Sequence, residues 1–285
     1  MEKQKRVAAI HDISCFGKCS LTVALPVLSA AGNEVCCIPT AVLSTHTGGF
    51  SGYTYRDLTE DILPVADHWN NLSIHFDCVY TGFLGSVEQT GIICQVLDRI
   101  TNGDTLVMVD PVMGDNGSLY SVFSEHFPSA MRQLCERADV IVPNMTEAYL
   151  LLGEPYQCGP YTEQEINHLL DGLSKLCPGQ IVLTGVHFDE EMLGAATLDG
   201  HTGKREIILR QKVDGMYHGT GDVYASSLLA ALLKGFSLSQ AAAIAADYTV
   251  MAIKTTKQMD KDLRYGVNFE YNIPALIEML KEERP

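Results

Sequence analysis

The 285-residue chain has no apolar run as long as a membrane span. Its first residues, MEKQKRVAAIHD, carry basic side chains but no extended apolar segment. A first strand is therefore expected there in place of a signal peptide. Positive charge is scarce: 20 Lys and Arg face 35 Asp and Glu, for a net charge of −15. Without a basic stripe, neither nucleic acid nor an anionic membrane is an expected partner. The nine cysteines are odd in number and contain no C-x-x-C pair, which speaks against a disulfide framework and a zinc ribbon. Reduced thiols in the cytoplasm are the expectation. There is no linker, repeat or low-complexity segment, so residues 1–285 read as a single domain. Two phosphate motifs are missing as well. A Walker A loop ending at Gly17-Lys18 needs a glycine where Asp12 stands and a Ser or Thr where Cys19 stands. A dinucleotide fingerprint starting at Gly219 needs a glycine where Tyr224 stands.

Apolar runs alternate with helical patterns along the whole chain. Strands are predicted over 6–10, 34–40, 78–84, 105–112, 138–144 and 180–185. Helices are predicted over 19–31, 57–70, 87–100, 124–137, 146–153, 162–176, 221–234 and 237–256, with an amphipathic one from residue 273. Thr146 suits the N-cap of the 146–153 helix and Gly153 its end. Residues 193–213 alternate around a glycine-rich turn and read as antiparallel hairpin strands. This order predicts an α/β fold: a doubly wound, mostly parallel sheet flanked by helices. Ligands of such sheets gather at the carboxyl ends of the strands. HDIS (11–14), THTGG (45–49), TGF (81–83), DPVMGD (110–115), PNMTE (143–147) and TGVH (184–187) fall there.

The stretch Gly219-Thr220-Gly221-Asp222 precedes an Ala- and Leu-rich helix. Glycines let consecutive backbone N–H groups face one space, and a helix N-terminus adds partial positive charge. Such an anion hole beside a carboxylate suits phosphoryl transfer to an alcohol, with Asp222 taking the hydroxyl proton. The plainer reading is a tightly packed helix start with Asp222 as a cap. Asp110 and Asp115, at a strand end, fit either a divalent cation or a solvated turn. Asn144 and Glu147 fit either a Mg²⁺-phosphate region or helix capping.

In this order, GTGD, DPVMGD, VPNMTEA and LTG resemble the ribokinase superfamily. THTGG and the lid-like DPVMGDNGSLY resemble its pyridoxal kinases, over roughly residues 6–255. The resemblance implies a ribokinase-like kinase that uses ATP and Mg²⁺ to phosphorylate the 5′-hydroxymethyl group of pyridoxal, pyridoxine or pyridoxamine. A monovalent cation such as K⁺ and a homodimer are also implied. Asp222 matches the base, and Gly219, Thr220 and Gly221 match the anion hole. Ser14, His46, Thr47, Phe83 and Tyr120 match the surroundings of the pyridine ring. Asp110, Asp115, Asn144 and Glu147 match the metal and phosphate region, and Thr184 and Gly185 the nucleotide side. Related hydroxymethylpyrimidine kinases share the fold and the GTG turn, some with Cys in place of Asp222. A vitamer sensor is the non-catalytic alternative. In the first loop Lys18 stands between Cys15 and Cys19, reaching either phosphate or solvent; both cysteines are expected near the substrate aldehyde.

Overall fold

The computed structural model describes residues 3–259 and 262–281. Its elements run β1 (Arg6–Ser14), α1 (Leu21–Ala30), β2 (Glu34–Leu43) and β3 (Tyr55–Asp57). Next come α2 (Thr59–Asn71), β4 (Cys78–Thr81), α3 (Val87–Ile100), β5 (Leu106–Val109), β6 (Gly114–Asp115), β7 (Ser118–Leu119), α4 (Phe127–Cys135), β8 (Val140–Ile141), α5 (Met145–Leu152), α6 (Glu163–Leu176), β9 (Gln180–Val186), β10 (Met192–Asp199) and β11 (Arg205–Gln211). The chain closes with α7 (Thr220–Leu233), α8 (Leu238–Gln258) and α9 (Ile273–Met279). Two compact units result: residues 1–58 with 213–285, and residues 59–212.

The first unit orders its strands β1-β2-β3. β1 and β2 are parallel, and β3 adds an antiparallel edge. The apolar run of β1 is buried from Val7 to Ile10, as a strand covered on both faces requires. The β1–β2 ladder slips between His11 and Ile13, at Asp12. Such irregularities re-aim side chains beside functional sites. Helix α7 is buried from Val223 to Ala231, and its small Ala and Ser side chains leave little amphipathic contrast. Tyr224 Oη donates to the carbonyl of Ala242 at 3.3 Å, tying α7 to α8.

The second unit orders its strands β4-β5-β8-β9-β10-β11. The first three pairings are parallel and the last two antiparallel, so the chain is α/β with mostly parallel strands, as the sequence predicts. Ser86 caps α3 through the N–H of Gln89, and α3 keeps its predicted limits. The 105–112 and 138–144 runs shorten to β5 and β8, with Asp110-Pro111 and Pro143-Asn144 at their carboxyl ends, where proline has no N–H for the ladder. DNGS (115–118) becomes the turn of the β6–β7 hairpin, with Asn116 at φ 51° and Gly117 at φ 77°. Those paired positive values are the geometry for which Asn-Gly is favoured. The cap of α5 is a correction: it is Asn144, not Thr146. Asn144 Oδ1 accepts from the N–H of Glu147 at 2.9 Å, and Glu147 Oε2 accepts from the N–H of Asn144 at 2.8 Å. Thr146 lies inside the first turn and accepts from the N–H of Gly117. Asn144→Ala is expected to cost about 1–2 kcal/mol of stability, read as a lower midpoint in thermal unfolding.

Candidate active site

The first unit carries Asp222, in the opening turn of α7. Gly219 precedes that helix with a left-handed φ of 76°. A Cβ on Gly219 would lie 1.9 Å from the carbonyl oxygen of Lys18, so both conformation and contact demand glycine. Gly221 differs: a Cβ there would meet nothing within 4 Å. Open space therefore lies beside Gly221 in the first turn of the helix, the end at which a helix favours an anion.

The Asp222 carboxyl is half-buried. Burial pushes it up to about 7, opposed by the bond it accepts from the Ser20 N–H and reinforced by the charge of Asp12. Asp12 was not singled out in the sequence, although it lies two residues before Ser14 and so on the same strand face. Ser14 Oγ donates to Asp12 Oδ2 at 2.9 Å, and Ser14 is almost fully buried. Burial and the Asp222 and Asp12 charges hold the Cys19 thiol far above its ordinary range. It stays protonated and is a poor nucleophile towards an aldehyde. A carbon-13 titration of the Asp222 carboxyl is expected to give a midpoint near 7. Asp12→Asn removes the neighbouring negative charge, so that midpoint should move to lower pH.

The THTGG loop belongs to the same unit. His46 Nε2 donates to the carbonyl of Arg264 at 2.6 Å, while the N–H of Gly48 donates to His46 Nδ1 at 3.1 Å. Only the neutral tautomer protonated at Nε2 satisfies both bonds. Burial holds this imidazole below its ordinary range, against the Arg264 bond and with help from His218, whose ring lies 5.0 Å away. Thr47 sits exposed on the loop beside them. Lys18 is part-exposed, and its Nζ donates to Asn268 and Glu270.

The second unit holds the residues expected on the nucleotide side, Asp115, Asn144, Glu147, Thr184 and Gly185. A cavity of about 160 Å³ is lined by Asp115, Asn144 and Gly185, together with Thr146, His187 and Lys212 among others. Thr146 and His187 fall within the PNMTE and TGVH stretches but were given no ligand role there; Lys212 follows β11 and belongs to no motif. Thr184 donates its N–H to the Pro143 carbonyl at 2.9 Å and pairs with Asn144 in a parallel bridge. Gly185 follows at φ 82°. Glu147 is buried and accepts from the N–H groups of Asn144 and Met113. Burial pushes its carboxyl up to about 8 despite those bonds and one from Gly114, with the Asp115 charge adding to the rise. The capping reading of Asn144 and Glu147 is thus realised in full, and Asn144 Nδ2 also donates to the Gly114 carbonyl at 2.9 Å.

Asp110 is buried after β5. Asp115 is exposed and accepts from the N–H and Nδ2 of Asn116. Among the described residues no group of three or more His, Cys, Asp or Glu side chains converges as a metal cage, and Asp110, Asp115 and Glu147 do not make one. This donor set fits a magnesium ion that takes most of its ligands from nucleotide phosphates and water, not an all-protein site. Phe83 and Tyr120 join an aromatic group around Phe123, at ring separations of 5.5 and 6.5 Å. All nine cysteines are free, and among the described residues no helix is long and apolar enough to cross a membrane.

The sequence profile of the phosphomethylpyrimidine kinase family matches residues 25–266. A Bacteroides thetaiotaomicron protein described as a phosphomethylpyrimidine kinase, crystallised with pyridoxal, is 36% identical; the match covers 96% of both chains with a TM-score of 0.92. The pyridoxal kinase of Lactobacillus plantarum is 34% identical over 100% of both chains, with a TM-score of 0.89. A pyridoxine/pyridoxal/pyridoxamine kinase of Bordetella avium is 28% identical over 267 residues, covering 89% of this chain and 86% of its own. With its parallel α/β core, its glycine-preceded helix start and these relatives, the chain belongs to the phosphomethylpyrimidine kinase family of the ribokinase-like superfamily.

Proposed function

We propose that this protein is a pyridoxal kinase: it transfers the γ-phosphoryl group of ATP to the 5′-hydroxymethyl group of pyridoxal, pyridoxine or pyridoxamine, a vitamin B6 salvage reaction. One observation carries the reading. Asp222 is a carboxyl group pushed up to about 7, placed in the first turn of a helix with open space beside Gly221. A base with a pKa near the working pH takes a proton most effectively. Asp222 accepts the hydroxymethyl proton as the oxygen attacks the γ-phosphorus, the bond from that phosphorus to the β,γ-bridging oxygen breaks and ADP leaves, and the 219–221 N–H groups receive the charge that moves with the phosphoryl group.

Ser14, His46 and Thr47, with Phe83 and Tyr120, are assigned to the pyridine ring, and His46 and Gly48 fix the Thr47 loop. Asp115, Asn144, Glu147, Thr184 and Gly185 are assigned to MgATP, with Asp110, Asp115 and Glu147 nearest the metal. Bound magnesium neutralises phosphate charge. The buried, hydrogen-bonded Glu147 holds the 113–114 turn in place. Residues 1–285 act as one kinase domain, in the cytoplasm and as a homodimer; sedimentation velocity tests the last point.

The family profile favours a second reading, a hydroxymethylpyrimidine kinase. A panel of pyridoxal, pyridoxine, pyridoxamine and hydroxymethylpyrimidine with MgATP separates the two. Phosphorylation of a B6 vitamer is expected. Transfer to the pyrimidine alone moves the substrate assignment, and vitamer binding without transfer to any acceptor makes the protein a sensor.

A further inference from the structure

We infer that the segment Arg264–Glu270 braces the three loops on which substrate recognition depends, and that Lys18 is the positioning residue that locks it. The inference rests on the functional reading above only for what the loops recognise. Each loop surrenders a backbone or ring group to this segment. The Arg264 carbonyl accepts from His46 Nε2 at 2.6 Å, one residue before Thr47. The Tyr265 carbonyl accepts from the Lys18 N–H at 3.2 Å, two residues before the Ser20 N–H that bonds Asp222. The Val267 N–H donates to the His218 carbonyl at 3.2 Å, one residue before Gly219. Gly266, at φ 80°, makes the approach possible: a Cβ there would lie 2.8 Å from both the nitrogen and the oxygen of Lys18.

Lys18 adds a side-chain clasp. Its Nζ donates to Asn268 Oδ1 at 2.6 Å and to Glu270 Oε2 at 2.8 Å, and lies 5.9 Å from the Phe269 ring centre. The Glu270 pair is part-exposed, and such pairs contribute little alone. Asn268 is different. It is 2% exposed, and its N–H donates to Thr256 Oγ1 at 2.7 Å. The lysine therefore meets a buried, pre-oriented acceptor, which makes the bond directional as well as charge-assisted. Aromatic packing follows the same line: Tyr265 meets Phe16 at 5.0 Å and stacks near Phe50 at 6.4 Å. A loop displaced by about 1 Å can lose on the order of a hundredfold in rate through misorientation alone.

The test compares full-length wild type, Lys18→Met and Lys18→Arg. Hydrogen exchange is followed at amides 15–20 and 46–50, with α3 as an internal control, and KM is measured separately for pyridoxal and for ATP. Lys18→Met is expected to speed exchange at both loops at least tenfold with α3 unchanged. It should also raise KM for pyridoxal about tenfold or more, with KM for ATP within twofold. Lys18→Arg should restore both. Unchanged loop exchange in Lys18→Met overturns the brace, as does acceleration spread evenly through the chain with both KM values rising together. If the wild type phosphorylates no vitamer, the functional reading fails, and the exchange comparison still decides the brace.

Discussion

Asp222→Asn is expected to lower kcat for vitamer phosphorylation by about 10²–10⁴-fold, the range a positioned general base supplies. Vitamer binding, followed by titration of the pyridine absorbance, should stay within a few-fold of wild type. The amide keeps the shape of the carboxylate and can still accept from the Ser20 N–H, so the first loop keeps its anchor. What disappears is the proton acceptor. It also follows that the wild-type kcat/KM falls as pH drops below about 7, where the carboxyl becomes protonated, and that this acid limb is absent from the residual activity of the variant. Turnover near wild type in Asp222→Asn would place the base elsewhere.

The second large effect separates two glycines that look alike in the sequence. Gly219→Ala forces a left-handed conformation on a residue with a Cβ, which costs about 1–2 kcal/mol. It also drives that Cβ against the Lys18 carbonyl. Both the thermal midpoint and turnover should fall. Gly221→Ala meets no neighbour. Within a helix the change from Gly to Ala is worth up to about 1 kcal/mol of stability, so the midpoint should hold or rise. Its methyl group nevertheless enters the space assigned to the transferring phosphoryl group. Turnover should drop on the order of a hundredfold, comparable to losing one oxyanion donor. A Gly221→Ala protein that is both stable and fully active removes the anion hole from the mechanism.

Much of the fold was legible because local signals agree with the tertiary arrangement. α3 has apolar residues at helical spacing behind a Ser cap, and the 192–211 hairpin alternates around a glycine turn. The edge strand β3 gave no signal: all three of its residues are exposed, so no burial pattern marks them. The cap of α5 was misplaced because Thr146 and Asn144 are both good capping residues. Only the reciprocal bond to Glu147 decides between them. At the candidate site the motif residues were visible, but their partners were not. The charge of Asp12 beside Asp222 and the grip of Asn268 on Lys18 join residues 210 and 250 positions apart. Nothing in a local window records such pairs.

The division of the chain has a consequence for biosynthesis. The unit that holds Asp12, His46 and Asp222 is assembled from residues 1–58 and 213–285, while residues 59–212 form a continuous unit between them. At a synthesis rate of about 5–20 residues per second, its first part emerges roughly 8–30 s before the second can join it. During that interval α1 presents an apolar face whose partner, α7, has not been made. The apolar face of α1 therefore stays uncovered until the residues of α7 have been added. A ribosome stalled before residue 213 carries no proton acceptor at position 222, and it also lacks the buried helix that the first segment packs against.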